Sequence, residues 1–163
     1  MTLRRSAQPG HRRKFLVIID DTAECERAVY FAARRALHTN GIVVMLYVIE
    51  PGDFQHWLGV EAVMRAEAQD EARRVLGEFA EKMRKWTGTE PEFVICEGKR
   101  SEEILRVIEE DEDIAIMVLA AGTGKEGPGP LVSSIASRTA TTFPIPITIV
   151  PGSMSDEEID GVS

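Results

Sequence analysis

The sequence predicts an α/β fold, a single doubly wound domain with a parallel sheet and helices on both faces. From Lys14 onward, short β-branched runs alternate with amphipathic helical patterns, which is typical of parallel strands joined by helical crossovers. The first run, Phe15 to Asp20, is nearly all apolar, as expected of a strand buried on both faces. The chain has 163 residues, which is about the length of one domain.

A helix is predicted directly after this first strand. Asp21 or Thr22 can cap it, and Glu24 lies at the spacing of a capping box. Apolar residues recur at helical spacing between positions 28 and 37, and Asn40-Gly41 is a typical helix end.

The rest of the chain continues the alternation of strand and helix. The predicted elements are a second strand at Ile42 to Glu50, a long helix with an apolar stripe from Ala68 to Trp86, a third strand at Glu92 to Cys96, a helix that Ser101 can cap, a fourth strand at Ile114 to Ala121, a helix from Val132 to Phe143, and a fifth strand at Pro146 to Val150. Together they give one sheet of five strands.

The two ends of the chain differ in the sign of their charge, with basic residues crowded at the front and acidic residues at the back. The formal net charge is −8, whereas nucleic acids and anionic membranes are bound through clustered Lys and Arg, so we expect neither partner. We expect a disordered tail at each end, a basic one over residues 1–13 and an acidic one over residues 152–163. Between them lies a folded domain of residues 14–151. No segment has the pattern of an export signal or a membrane span, so we expect a cytoplasmic protein.

Cysteine and histidine residues give little sign of redox or metal chemistry. Cys25 and Cys96 lack CxxC spacing, and two reduced, partly buried thiols explain them more simply than a disulfide or redox pair. The histidines at positions 11, 38 and 56 fall on unlike predicted elements, which disfavours a metal site.

A ligand site is expected at the carboxyl ends of the predicted strands. In doubly wound sheets, ligands bind there, at the point where the strand order reverses. This rule brings together Asp20-Asp21, residues 48–50 and residues 121–127. The last of these segments begins a loop rich in glycine and proline.

Four segments of the chain form a pattern that occurs in a known family. They are FLVIIDDTAECERAVYFAARRA, YVIEP, IMVLAAG and SSIASRTATTFPIPITIVPG. This pattern, which covers about residues 14 to 151, resembles the universal stress protein family. Asp20 matches the first residue of the family's Asp-Gly-Ser, and Pro144-Ile145-Pro146 matches its Pro-x-Pro before the last strand. The resemblance implies the strand order 3-2-1-4-5, frequent dimers, and a protein that is not an enzyme in the usual sense.

The loop after the fourth strand departs from the ATP-binding motif of that family. In members that bind ATP, this loop reads Gly, two residues, Gly, nine residues, Gly, then Ser or Thr. If Gly122 is the first glycine, Lys125 and Ile135 occupy the next two glycine positions, and Ser133-Ser134 comes two residues early. The loop keeps glycines, a lysine and hydroxyl groups near a helix start, but its two prolines lack N–H donors.

Two functions remain open. One is a universal stress protein-type binding or signalling module that takes an adenine nucleotide such as ATP, with Mg²⁺ when ATP is bound. The other is a dimeric protein-interaction module in the stress response that binds no nucleotide. Slow ATP hydrolysis is a third class, for which the sequence offers no general base. The residues predicted for the nucleotide site are Asp20, Asp21, Val48, Ala121, Gly122, Gly124, Lys125, Gly127, Ser133 and Ser134.

A homodimer is expected through the last strand. Residues Pro146 to Pro151 would form an exposed edge of the sheet, and proteins usually cover such edges. Pairing with a second copy across a two-fold axis is a simple way to do so, and the resemblance implies it.

Overall fold

Five parallel strands form the centre of the structure, a computed structural model that describes residues 2–51, 60–124, 127, 129–134 and 142–163. The strands are β1 (Lys14–Ile18), β2 (Ile42–Ile49), β3 (Glu92–Glu97), β4 (Ile114–Ala121) and β5 (Ile147–Pro151). They lie in the order β3-β2-β1-β4-β5, with Phe15 opposite Val43 and Leu119 opposite Ile149. The α/β class and the strand order are therefore confirmed.

Helices cover both faces of this sheet. They are α1 (Cys25–Thr39), α2 (Glu61–Thr87), α3 (Arg100–Glu110), α4 (Pro130–Ser134) and α5 (Asp156–Val162). Residues of α1, α2 and α5 pack in one buried cluster, and residues of α3 and α4 pack in another. Cys25 belongs to the first cluster and Cys96 to the second, so the two buried thiols lie on opposite faces of the sheet. No helix in the described part of the chain is long and apolar enough to cross a bilayer.

The sequence predicts the C-terminal end of α1 correctly but not the N-terminal caps of α1 and α3. Asn40, with φ of 54°, ends α1 as predicted, and its N–H donates to the Ala36 carbonyl. The predicted cap of α1 at Asp21 or Thr22 is wrong, because the N-cap residue is Glu24, two or three residues later, and it makes no side-chain cap bond. The predicted cap of α3 is also wrong, because the N-cap residue is Lys99 and Ser101 already lies within the first turn.

The predicted helix from Val132 to Phe143 differs in the structure. It begins at Pro130, a favourable first position because proline has no N–H to satisfy there. Residues 135–141 of the prediction lie outside the described residues. Phe143 is not helical, because it precedes Pro144, and a following proline disfavours helical backbone.

The acidic C-terminal segment is a helix rather than the disordered tail that was expected. Ser155 caps α5 in a capping box with Glu158, in which each residue's side chain accepts a hydrogen bond from the other's backbone N–H. Ile159 is fully buried on the α1 side of the sheet. One apolar anchor and a good cap thus order a segment whose composition alone suggested disorder.

The basic N-terminal segment also makes specific contacts, contrary to the expectation of a disordered tail. Arg4 donates from Nη1 to the carbonyl oxygens of Ile108 (2.6 Å) and Asp111 (3.0 Å) at the end of α3. The backbone N–H of Arg5 donates to the Glu112 carbonyl at 2.8 Å. A cation at a helix C-terminus satisfies free carbonyl groups and the helix dipole, which explains why this segment is fixed.

Candidate functional site

Three adjacent cavities lie along the carboxyl ends of the strands. Their volumes are about 430, 150 and 610 Å³ in order from β2 toward the loop after β4. Asp20 and Arg100 line both the first and the second cavity, and Glu24 and Gly129 line both the second and the third. We call the three together the carboxyl-end cleft. It lies where the rule for doubly wound sheets places a ligand.

The first cavity combines apolar walls with polar groups. Ile19, Val48 and Ile49 at the strand ends and Ala68 of α2 line it. Tyr47 also lines this cavity, and burial, and then the nearby Glu71 carboxylate, raise the pKa of its phenol. A volume of about 430 Å³ lies within the range of small-molecule sites, which hold an apolar ligand body and orient it with few polar groups.

Asp20 forms the turn that connects β1 to α1. Its Oδ1 accepts hydrogen bonds from the backbone N–H of Thr22 (3.0 Å) and from the Thr22 hydroxyl (2.5 Å). Such a turn fixes the carboxylate at the entrance of the helix. Asp20 is therefore a positioned acceptor group between the first and second cavities.

We define the glycine loop as residues 122–129. Its residues Gly122, Gly124, Gly127 and Gly129 line the third cavity. Gly127 and Gly129 have φ of 87° and 107°, a backbone that favours glycine. The N–H of Gly127 donates to the Gly124 carbonyl at 3.2 Å, and the N–H of Ser133 donates to the Gly129 carbonyl at 3.0 Å. These two N–H groups are already bonded within the protein, so they are not free to cradle a phosphate.

Acidic side chains outnumber basic ones in the part of the cleft that the structure describes. Among the described lining residues, the charged groups are the carboxylates of Asp20, Asp21, Glu24, Glu50 and Glu71, and the guanidinium of Arg100. Arg74 pairs with Glu71 at 2.6 Å and lowers the pKa of that carboxyl. Arg100 lies at the limit of an ion pair with Glu50, with its Nε 4.0 Å from Oε1.

Most predicted site residues come together in the cleft. Asp20, Asp21 and Val48 line the first cavity, and Gly122, Gly124, Gly127 and Ser133 line the third. Ala121 ends β4, where its carbonyl accepts from the Gly152 N–H at 2.9 Å, and Ser134 ends α4; neither is among the residues that line the cleft. Lys125 lies outside the described residues. The contacts with a nucleotide that were predicted for all ten of these residues stay predictions.

Sequence reasoning missed several polar residues of the cleft. They include Glu24, Tyr47, Glu71 and Arg100. Arg100 could have been found, because β3 also ends at this edge and the residues after it belong there by the same rule as those after β1. Glu71 could not, because it lies about three turns into α2, and only the packing of that helix brings it to the cleft.

A metal ion has no evident place in the described part of the chain. Those residues contain no group of three or more His, Cys, Asp or Glu side chains arranged to hold one. The expectation of Mg²⁺ together with ATP stays a prediction.

Comparison with solved structures shows where this fold occurs. A universal stress protein from Lactobacillus plantarum matches with a TM-score of 0.70 and 14% identity over 85% of this chain and 97% of that one. A universal stress protein in complex with cAMP matches with a TM-score of 0.62 and 17% identity over 86% and 98%. A universal stress protein from Archaeoglobus fulgidus in complex with dAMP matches with a TM-score of 0.59 and 19% identity over 85% and 97%. At these identities the matches show a shared fold.

The sequence itself shows the relationship more directly. No curated protein sequence matches this chain significantly. The sequence profile of the Universal stress protein family, however, matches residues 11–151, which include all five strands. The resemblance found in the sequence motifs is thereby confirmed, and the chain belongs to the universal stress protein family.

Proposed function

We propose that this protein is a binding module for an adenine nucleotide, which it holds in the carboxyl-end cleft, and that it acts in signalling rather than in catalysis. The observation that carries the proposal is the first cavity, about 430 Å³, with apolar walls from Ile19 and Val48 and acceptor groups on Asp20 and Asp21. Apolar walls suit the flat face of a base, and carboxylates accept hydrogen bonds from amino and hydroxyl groups.

Two further observations support an adenine nucleotide as the ligand. The cleft continues from the first cavity into the second, and Arg100 lines both, so a nucleoside in the first cavity would have room and a cation for a phosphate beside it. Two proteins of the same fold carry cAMP and dAMP, which belong to the same chemical class.

The experiment is isothermal titration calorimetry with adenosine, AMP and ATP, the last with and without Mg²⁺. A variant that fills the first cavity, Ala68→Trp, tests the location. We expect binding by the natural chain and its loss in Ala68→Trp. The control is Ala66→Trp, on the same helix but exposed, which should bind as the natural chain does. Absence of heat with every ligand at millimolar concentration would contradict the proposal.

A second candidate function is a protein-interaction module without a nucleotide. The N–H groups of Gly127 and Ser133 favour it, because both are bonded within the protein, and so does the excess of carboxylates in the cleft. If calorimetry detects no ligand while the folded state is intact by circular dichroism, this function is the one that remains.

We also propose that the protein is a homodimer through β5. This strand is at an edge of the sheet, and Ile149 on it is 42% exposed. Exposed edges pair readily with a second copy. Light scattering at micromolar concentration should give the mass of a dimer, and Ile149→Lys should give a monomer. A monomeric mass for the natural chain would contradict this part of the proposal.

A further inference from the structure

We propose that the cleft selects a nucleoside monophosphate over a triphosphate, with Arg100 as the partner of the single phosphate and Glu24 as the group that keeps further phosphates out. This inference rests on the proposed function, because it assumes that a nucleoside occupies the first cavity. It names the class of nucleotide and the two side chains that decide it.

Arg100 is placed to meet an anion next to the first cavity. It is the only cation among the described lining residues of the cleft, and it lines both the first and the second cavity. Its contact with Glu50 is long, at 4.0 Å, and its side chain is 32% exposed, so the guanidinium can turn toward a ligand. A guanidinium suits a phosphate because it donates two parallel hydrogen bonds and stays charged at any physiological pH.

Arg100 also begins a helix. It is the first residue of α3, a helix of 11 residues, so the positive end of the helix dipole lies at the same place. The N–H groups of Glu102 and Glu103 in the first turn already donate to the Lys99 carbonyl. The Arg100 side chain and the start of α3 both attract a phosphate. Asp20 and Asp21 line the same two cavities and oppose a phosphate, since both are acidic, so Arg100 and the helix start supply the attraction in this part of the cleft.

Glu24 has the opposite effect farther along the cleft. It lines the second and third cavities, and its Oε1 lies 3.2 Å from the position that a Cβ on Gly122 would occupy. The carboxylate therefore lies against the first glycine of the loop, where further phosphates of a nucleotide would have to pass. Like charges at such short range repel, and the partly enclosed cleft screens them less than bulk water does.

The residues of the glycine loop that the structure describes offer little to offset this repulsion. The N–H groups of Gly127 and Ser133 already donate to the carbonyl oxygens of Gly124 and Gly129. A phosphate cradle needs such donors free and pointing at the ligand. Among the described lining residues, the one cation, Arg100, lies beside the first cavity, and Glu24 lies between it and the glycine loop, an arrangement that suits one phosphate better than three.

The test compares adenosine, AMP and ATP by calorimetry in the natural chain and in two variants, Arg100→Gln and Glu24→Gln. We expect AMP to bind about 10- to 100-fold more tightly than adenosine or ATP, the range typical of a charge-assisted pair. Arg100→Gln should remove that advantage of AMP and leave adenosine binding unchanged. Glu24→Gln should strengthen ATP binding and leave AMP binding nearly unchanged.

Two matched variants control for the loss of one charge. Arg106→Gln lies on α3 and Glu26→Gln lies on α1, and neither residue lines the cleft. Both should bind all three ligands as the natural chain does. Each variant is also melted without ligand, so that a fold defect is recognised as such.

The outcomes separate this inference from the proposed function. The inference is overturned if ATP, with or without Mg²⁺, binds more tightly than AMP, if Glu24→Gln weakens ATP binding, as a bridging Mg²⁺ would predict, or if Arg100→Gln weakens adenosine as much as AMP. In those cases a nucleoside still binds and the proposed function stands. If none of the three ligands binds the natural chain, both fail together.

Discussion

Gly152 shows how closely single residues fit at the cleft. Its N–H donates to the Ala121 carbonyl at 2.9 Å, just where β4 leads into the glycine loop. A Cβ added to Gly152 would lie 2.5 Å from that carbonyl oxygen and 3.0 Å from the Cβ of Glu24. Real side chains do not approach a backbone atom so closely, so any substitution must move either the end of β4 or the start of α1.

Substitution of Gly152 therefore has a predictable effect. Gly152→Ala should lower the free energy of unfolding by about 1–3 kcal/mol, the range for forcing extra volume into a packed site. Gly161→Ala is the control, because a Cβ there meets nothing within 4 Å and the residue lies in α5. It should be neutral or stabilising by up to about 1 kcal/mol, since alanine favours a helix more than glycine does. Urea denaturation measures both, and equal effects would contradict the packing described.

Tyr30 is the buried polar residue that links α1 to the C-terminal helix. Its hydroxyl donates to Asp160 at 2.7 Å, and its ring packs edge-to-face with Trp86 at 4.9 Å between centroids. Burial, and then this hydrogen bond, raise the pKa of Tyr30 from 10 to about 12. The folded state thus favours the protonated phenol, whose stabilising effect is fully present below pH 10 and is lost as the pH rises through 12.

This titration predicts a difference between the natural chain and Tyr30→Phe at alkaline pH. Unfolding free energies from urea denaturation should fall more steeply for the natural chain between about pH 10 and about pH 12. The comparison isolates Tyr30, because Cys25, whose pKa burial also raises to about 12, is present in both proteins. Parallel curves would mean that the pKa of the Tyr30 phenol is the same in the folded and unfolded states, which would contradict this account.

Among the helices and strands, α5 is the one for which the amino-acid composition gave the poorest prediction. Residues 152–163 contain few apolar side chains, which is typical of disorder, yet the helix is held by pairs with residues far away in the sequence. Asp156 pairs with Arg27 at 2.7 Å, and Asp160 lies 3.0 Å from Nε of Arg34. Such partners cannot be seen without the fold. The capping box of Ser155 and Glu158, in contrast, is a local signal that the sequence does contain.

The docking of α5 depends on one apolar side chain. Ile159 is 0% exposed, so Ile159→Ala should lower the free energy of unfolding by about 2 kcal/mol or more, as for other large-to-small core substitutions. Val162→Ala, on the same helix but 63% exposed, should change it by less than about 0.5 kcal/mol. Denaturation curves followed by tryptophan fluorescence distinguish the two variants. If both are neutral, α5 does not stabilise the domain.

For the whole molecule, the sheet was predictable because its signal is local. A strand buried on both faces is a continuous apolar run, as in Phe15 to Ile18, and it needs no partner to be recognised. The order of the strands came from the family resemblance, since spacing alone does not fix it. The cleft was predicted in its position and in residues such as Asp20, which follow a strand directly. Glu71 could not be predicted as a cleft residue, because only the packing of α2 brings it to the cleft.

The most direct test of the nucleotide site is an NMR titration of the ¹⁵N-labelled chain with AMP. We predict chemical-shift changes at the backbone amides of Asp20, Val48 and Arg100, which surround the first cavity. Arg12 and Gly41, which line a cavity at the opposite end of the sheet, should not change. Changes confined to that opposite end, or none at millimolar AMP, would contradict the central claim that the carboxyl-end cleft binds a nucleotide.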